Sequence, residues 1–339
     1  MIIQQNFSLQ KFNTFGVEIY TRYYVEVKNL YEVKKVFTMF PYIPKFILGN
    51  GSNLLFLNNY YPGVVIRVKI KGKKIIEENR DQGIVQAFAG ENWSHFVMWT
   101  VDNGFYGLEN LFGIPGTVGA SPIQNIGAYG TEIQDCLFKV QVYQINHGNI
   151  IECYREQCNF QYRSSIFKNH NYNNQFFILS VFFVLKKNKK MNISYVGIRK
   201  ELQNMHITNP NRYDLMQAIM NIRSQKLPDP ITMGNVGSFF MNPIVEIMFF
   251  EKLKLKYPMI IGNLLGEKKV KISASSLIEH IGWKGKRMRN VGVYEKLPIV
   301  LVNYGGASGR EIYFFSKQII NQVKKTFHIA FLREVHLIR

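Results

Sequence analysis

Between Ile114 and Gly130 the chain reads Ile-Pro-Gly-Thr-Val-Gly-Ala-Ser-Pro-Ile-Gln-Asn-Ile-Gly-Ala-Tyr-Gly, a run with four glycines, two prolines and no charge. Such a run makes a poor helix, because Gly and Pro are the least favourable helix residues. It makes a poor strand too, since Pro removes a ladder donor and Gly packs nothing. What it does well is bring bare backbone N–H groups close to a ligand, the usual use of clustered glycines beside an anion. With no Lys or Arg in the run, the implied ligand is held by main chain and shape. A large, flat, phosphate-bearing molecule suits that description.

A chain of 339 residues is long for one core and fits two or three domains. Hydrophobic residues at 47% and aromatics at 14% are ample for packed cores, which argues against disorder. The first residues, Met-Ile-Ile-Gln-Gln-Asn-Phe-Ser, show neither a basic nor an apolar signal region, so no signal peptide is expected. The longest apolar run, Phe176 to Leu185, is interrupted by Ser180 and is too short to span a bilayer. It reads as a buried strand. Cys136, Cys153 and Cys158 are odd in number and lack metal-ligand spacing, which points to a reducing compartment. The expectation is a cytoplasmic protein with no metal and no membrane partner.

The net charge of +19 raises the question of a nucleic-acid partner. The basic residues, however, are spread along the chain in short clusters: Lys71 to Lys74, Lys186 to Lys190, Lys284 to Arg287. The chain is also rich in Asn, Ile, Lys, Tyr and Phe, which AT-rich codons supply. Compositional drift with some anionic-ligand binding is favoured over a polyanion partner.

Tyr23 to Val27 is strand-like, Leu30 to Phe40 helical, and Phe46 to Leu48 a short strand that ends in Gly49-Asn-Gly-Ser-Asn53. This β-α-β unit delivers a glycine turn at a strand end, where phosphates are commonly held. Further strands are expected at Val64–Val68, Gly83–Ala89, Val140–Tyr143 and Asn149–Ile151, and a helix at Trp93–Asn103. Tyr213 to Lys226 reads as a helix closed by Leu-Pro-Asp-Pro230, with Pro228 and Pro230 marking a joint. Beyond it lies a second α/β mixture ending in a helix from Glu311 to Lys325 and a strand from Ile329 to Ile338.

Gly49-Asn-Gly-Ser-Asn-Leu54 has Leu54 where a dinucleotide fingerprint needs its third glycine, and no helix pattern follows. A nicotinamide Rossmann site is therefore disfavoured. The loop reads either as an anion-binding nest, with Ser52 and Asn53 adding side-chain donors, or as a plain hairpin turn.

In order, Leu48-Gly-Asn-Gly-Ser-Asn-Leu54, Ile114-Pro-Gly-Thr-Val-Gly119 and Ser121-Pro-Ile-Gln-Asn-Ile-Gly-Ala-Tyr-Gly130 closely resemble the UDP-N-acetylenolpyruvoylglucosamine reductases. These flavoenzymes make UDP-N-acetylmuramate for bacterial cell walls. The resemblance continues through Asn13-Thr-Phe-Gly16, Gly107-Leu-Glu-Asn-Leu111, Cys158 to Lys168, Lys226-Leu-Pro-Asp-Pro230 and Gly237-Ser-Phe-Phe-Met-Asn-Pro243. It covers nearly the whole chain.

The resemblance implies an α+β protein with an FAD-binding fold of the vanillyl-alcohol-oxidase type, made of two α/β subdomains, plus a C-terminal α/β substrate-binding domain. On this basis residues 1–67 with the terminal strand 329–339 form the first FAD subdomain, 68–225 the second, and 226–328 the substrate domain. FAD is expected to be non-covalent, since neither loop offers the His or Cys that some relatives of the wider fold attach to flavin. The implied FAD contacts are Gly49, Asn50, Gly51, Ser52, Asn53, Leu54, Gly116, Ser121, Pro122, Ile123, Gln124, Asn125, Gly127, Ala128 and Tyr129.

The implied substrate is an enol ether conjugated to a carboxylate. Adding hydride from flavin to its terminal carbon requires a cation on the carboxylate, a proton donor over the α-carbon and a group that tunes both. Arg163 in Tyr162-Arg-Ser-Ser matches the family's catalytic arginine, whose fork suits a carboxylate. Ser238 matches the proton donor, and Glu334 in Phe331-Leu-Arg-Glu-Val335 the third catalytic residue.

Substrate contacts are implied for Tyr162, Tyr195, Lys226, Asn242 and Lys284. Tyr195 matches a loop tyrosine that closes over the substrate in the longer, type I members, and the two lysines lie near the UDP diphosphate. Met241, Asn263 and Leu297 depart from the family pattern in this region. NADPH is expected as hydride donor, sharing one pocket with the UDP-sugar nucleotide, and the chain is expected to be a monomer without a nucleic-acid partner. The alternative is another FAD-dependent oxidase or dehydrogenase of the same fold, chemistry that does not need Arg163, Ser238 and Glu334 together.

Overall fold

The computed structural model describes residues 1–168, 175–188 and 190–339, so Lys189 of the basic cluster 186–190 lies outside the described residues. The chain divides into two compact units. The first comprises Met1–Phe7, Thr21–Asn50 and Pro62–Gln225; the second Ser8–Tyr20, Gly51–Tyr61 and Lys226–Arg339.

In the first unit a four-stranded sheet runs in the order Ile3–Ser8, Tyr20–Val27, Tyr60–Val68, Lys45–Leu48. Helix Leu30–Met39 crosses from the second of these to the last, starting where the Asn29 side chain accepts the Glu32 amide at 2.9 Å. It buries Val33 and Val36. Lys45–Leu48 lies parallel to Tyr60–Val68, so the loop at 49–50 leaves from the end of a parallel pair.

A second, antiparallel sheet has the order Ile150–Tyr154, Leu137–Gln144, Phe176–Lys186, Gln82–Phe88, Lys73–Glu78. Its central strand is the apolar run, and Ser180 is accommodated there by a polar rung. Gln86 donates to the Ser180 hydroxyl at 2.9 Å, and that hydroxyl donates to Gln141 at 3.3 Å. The interruption therefore costs little, because a buried polar group is expensive only when unpaired. Helix Trp93–Asp102 packs Trp93 and Phe96 against Phe183, and the Trp93 indole donates to the Leu111 carbonyl at 2.8 Å.

The second unit holds two three-stranded antiparallel sheets. One is ordered Ile244–Glu246, Lys269–Ile272, Gly262–Leu265; the other Arg287–Met288, Val291–Val293, Leu301–Asn303. Its longest helix, Gly309–Phe327, begins with a capping box between Ser308 and Glu311 and buries Ile312, Phe315, Ile319 and Val323. Gly309 is required there, since a Cβ would fall 1.6 Å from the Phe56 carbonyl oxygen.

The strand expected from Ile329 to Ile338 is cut short. Only His336–Ile338 is a strand, parallel to Leu54–Phe56. Upstream, the chain pairs with a different partner through a single bridge between Phe240 and Arg333. The change of partner near Glu334 prevents one continuous ladder.

Among the described residues no helix is long and apolar enough to cross a membrane, and no group of His, Cys, Asp or Glu could hold a metal ion. The three cysteines are buried thiols, with no disulfide among the described residues.

Candidate active site

The glycine–proline run forms a chain of turns rather than a regular element. Thr117 makes an isolated bridge to Asn92, and the amides of Val118 and Gly119 donate to the carbonyls of Glu91 and Ala89, each at 2.9 Å. Gly119 permits this approach, for a Cβ there would lie 2.5 Å from that of Ala89. The loop at 49–50 abuts the run. The Asn50 side chain donates to the Gly116 carbonyl at 3.0 Å, and a Cβ on Gly49 would meet the Thr117 hydroxyl at 3.0 Å. Gly116 itself sits at φ 150°, which side-chain-bearing residues rarely adopt.

Farther along, two side chains expected to face a cofactor are engaged within the protein. Ser121 donates to the Val118 carbonyl at 2.6 Å. Asn125 is fully buried at φ 46°, with its amide donating to Glu132 at 2.8 Å and to the Gln161 carbonyl at 3.1 Å. Its oxygen accepts the Gln134 amide at 3.2 Å. Pro122 is buried, Gln124, Gly127, Ala128 and Tyr129 are half-buried, and Ile123 is exposed.

Arg163 joins this region. It lies in the tight turn Gln161–Ser164 at φ 55°, and its guanidinium donates to the Gly127 carbonyl at 2.8 Å. Tyr162 supports it from below, 5.3 Å from ring centroid to guanidinium carbon. A cation is thus fixed beside the end of an uncharged run, the placement that a carboxylate or other anion requires.

In the second unit, Gly51 sits at φ 67°, with its carbonyl accepting the Thr14 amide at 3.0 Å. Ser52 and Asn53 follow, half-buried, and Leu54 is buried. Asn53 accepts the His336 amide at 3.2 Å, and its side chain donates to the Glu334 carbonyl at 3.5 Å.

Ser238 follows Gly237, whose φ of 70° turns the chain, and the Gly237 amide is held by the buried Asn235 at 2.9 Å. Phe239 and Phe240 are fully buried, and Phe240 stacks on Phe331 at 4.7 Å. The Glu334 amide donates to the Phe239 carbonyl at 2.9 Å, so Ser238 and Glu334 are brought together by main-chain pairing. Glu334 is 9% exposed, an unusual burial for a carboxylate so near the end of the chain.

The expected nucleotide contacts are less concentrated. Lys226 is exposed at the end of helix Arg212–Lys226. Asn242 accepts the Ala274 amide at 2.9 Å, which starts helix Ala274–His280, and Lys284 pairs with Glu279 at 2.5 Å on the surface. Met241 and Leu297 are half-buried, and Asn263 is exposed on strand Gly262–Leu265.

Three neighbours of the run escape notice in the sequence: Asn110, Asn192 and Arg223. Arg223 hydrogen-bonds the Tyr129 hydroxyl, and burial pushes the guanidinium pKa down and the phenol pKa up. The one signal for Asn110 is its place beside Glu109 as a polar pair between Leu108 and Leu111.

Residues 229–338 match the family model described as UDP-N-acetylenolpyruvoylglucosamine reductase, C-terminal domain, and residues 21–154 match an FAD binding domain. A UDP-N-acetylenolpyruvoylglucosamine reductase of Flavobacterium johnsoniae is 44% identical over the full length of both chains. The chain belongs to the UDP-N-acetylenolpyruvoylglucosamine reductase family. Another such reductase, from Pseudomonas fluorescens, is 38% identical over 99% of this chain and 98% of its own. The crystal structure of the Thermus caldophilus UDP-N-acetylenolpyruvylglucosamine reductase has the same fold, with a TM-score of 0.66 at 21% identity, covering 100% of this chain and 98% of that one.

As a UDP-N-acetylenolpyruvoylglucosamine reductase family member the chain is an FAD-dependent oxidoreductase with the α+β, vanillyl-alcohol-oxidase type of flavin fold. The residues present suit such a cofactor. The run carries no charge, and the loop at 49–50 meets it at glycines, where backbone rather than side chain lines the approach.

Proposed function

We propose that the chain reduces UDP-N-acetyl-3-O-(1-carboxyvinyl)-glucosamine to UDP-N-acetylmuramate, using NADPH as electron source, in the synthesis of peptidoglycan precursors. The observation that carries this reading is the main-chain pairing that sets Ser238 beside the buried Glu334, in a chain whose family is named for this reduction. An oxidase of the same flavin fold has no need of that pair.

FAD would be held by Gly49 to Leu54 and by Gly116, Ser121 to Asn125 and Gly127 to Tyr129, through main chain in the case of Ser121 and Asn125. The chemistry available with FAD bound is two-electron reduction of the substrate's vinyl group. Arg163 binds the substrate carboxylate and stays charged as negative charge builds on it. Ser238 protonates the α-carbon; a serine is competent because a carbanion is a far stronger base than an alkoxide. Glu334, buried beside it, stabilises the same developing charge when protonated. Tyr162 orients Arg163 through its ring, while Tyr195, Lys226, Asn242 and Lys284 contact the sugar nucleotide, the lysines offsetting the diphosphate charge. NADPH and the sugar nucleotide use one pocket in turn. We further propose a monomer with three functional segments: 1–67 with 329–339, 68–225, and 226–328.

The test is an anaerobic titration in two steps. The purified protein should be yellow, NADPH should bleach it, and the enolpyruvyl sugar nucleotide should restore the oxidised spectrum. A protein unable to take up FAD, or one reoxidised only by oxygen, sinks the proposal.

A further inference from the structure

The Asn192–Tyr195 segment and the Tyr129–Gly130 turn are tied together by side-chain amides from both sides. Asn110, only 3% exposed, donates to the Tyr129 carbonyl at 3.2 Å and to the Asn192 carbonyl at 2.8 Å. Asn192 reciprocates by donating to the Gly130 carbonyl at 3.2 Å. The Asn192 side-chain oxygen meanwhile accepts the Ser194 amide at 3.2 Å and hydroxyl at 2.6 Å. Arg199 donates to the Ile193 carbonyl at 2.9 Å. The turn is left-handed at both residues, φ 50° at Tyr129 and 79° at Gly130.

Tyr195 stands at the end of this strapped segment, 42% exposed, with its ring edge-on to Tyr129 at 5.2 Å. Tyr129 is itself fixed, its hydroxyl hydrogen-bonded to Arg223 and its ring packed among Ile198, Leu215 and Ile219.

Carbonyls of a surface loop are ordinarily satisfied by water. A buried asparagine amide is costly unless fully bonded. Here one is committed to bridging two segments 19 and 82 residues away from it. Such a bridge orders the loop before anything binds, which removes an entropic cost from binding.

We propose that Asn110 and Asn192 are positioning residues that hold Tyr195 ready for the sugar nucleotide. The proposal rests on the reading of Tyr195 as a substrate contact. Because the residue it holds, Tyr195, is the one read as closing on the sugar nucleotide, loosening the strap at Asn192 is expected to act on the substrate's arrival more than on flavin reduction.

The test is a double-mutant cycle on the flavin-loaded enzyme. Asn192→Ala should raise KM for the sugar nucleotide about tenfold while flavin reduction at saturating NADPH changes less than about twofold. Asn192→Asp, which keeps the acceptor for Ser194 and loses the donor to Gly130, should fall between. Tyr195→Ala should raise KM as well, and adding Asn192→Ala to it should raise KM no further. Multiplying effects in the double variant, or an unchanged KM in Asn192→Ala, would overturn the proposal. A silent Tyr195→Ala overturns the reading of Tyr195 as a contact, and the proposal with it, but leaves the reductase activity standing.

Discussion

Glu334 donates its backbone amide to the carbonyl of Phe239, the residue after Ser238, at 2.9 Å. The two proposed catalytic side chains are therefore registered by main chain, and Phe239, Phe240 and Phe331 lock that register from the core side. Changing either side chain should leave the register intact. Ser238→Ala is expected to keep FAD and its reduction by NADPH, while reoxidation by the sugar nucleotide slows about 10²–10⁴-fold. Glu334→Gln should slow the same step, and the double variant should be slower by much less than the product of the two. Stopped-flow absorbance of the flavin separates the half-reactions. Equal slowing of both would remove Ser238 from the role of proton donor.

Arg163 combines a left-handed backbone with a side chain anchored on Gly127. For a side-chain-bearing residue that conformation costs about 1–2 kcal/mol, so the position is kept for something other than stability. Arg163→Lys retains charge but loses the fork, and turnover is expected to fall about 10²-fold or more. Arg163→Gly relieves the strain and loses a hydrogen bond worth about 1 kcal/mol. Its unfolding free energy should therefore stay within about 1–2 kcal/mol of the parent while sugar-nucleotide reduction is abolished. An active Arg163→Gly enzyme would remove the guanidinium from the reaction.

The sequence made some of this legible and hid the rest for physical reasons. Gly and Pro density exposes the run from Ile114 to Gly130 as irregular backbone, and hydrophobic periodicity exposes helices such as Leu30–Met39. Pairing partners leave no such mark, which is why the single bridge at Arg333 looked like part of a strand reaching back to Ile329. A polar residue in a motif is equally mute about which way its side chain turns. Asn125 reads as a ligand donor and is spent on Glu132 and Gln161, while Asn110 reads as a motif filler and bridges two segments.

Two glycines with nearly the same backbone give a controlled contrast. Gly51 at φ 67° has the Phe12 carbonyl oxygen 2.0 Å from where a Cβ would stand; Gly237 at φ 70° has nothing within 4 Å. Gly237→Ala should cost only the conformational penalty, about 1–2 kcal/mol. Gly51→Ala adds a clash with main chain that cannot move without losing the Thr14 bond to Gly51, so it should cost about 3 kcal/mol or more and weaken FAD retention. Urea denaturation of the two variants, with flavin content measured alongside, checks the difference. Equal costs would mean that the loop around Phe12 yields freely.

Burial pushes the Cys158 thiol, the Tyr24 phenol and the Tyr61 phenol each up to about 12, from ordinary values of 9.0 for the thiol and 10.0 for the phenols. All three are acids held neutral by the fold. In the unfolded chain they ionise at their ordinary values, so between about pH 9 and 12 the unfolded state binds fewer protons than the native state. Stability must then fall as pH rises through that window, and these groups contribute no slope below it. The thermal midpoint should accordingly be insensitive to these groups up to about pH 9 and decline above it. Cys158→Ala removes one of the three and should make the decline shallower. The same burial predicts that a thiol reagent at pH 8 labels no cysteine in the folded protein and all three in denaturant. A midpoint unchanged between pH 9 and 11, or prompt labelling of Cys158 in the native state, would mean that these groups exchange with solvent far more readily than their packing allows.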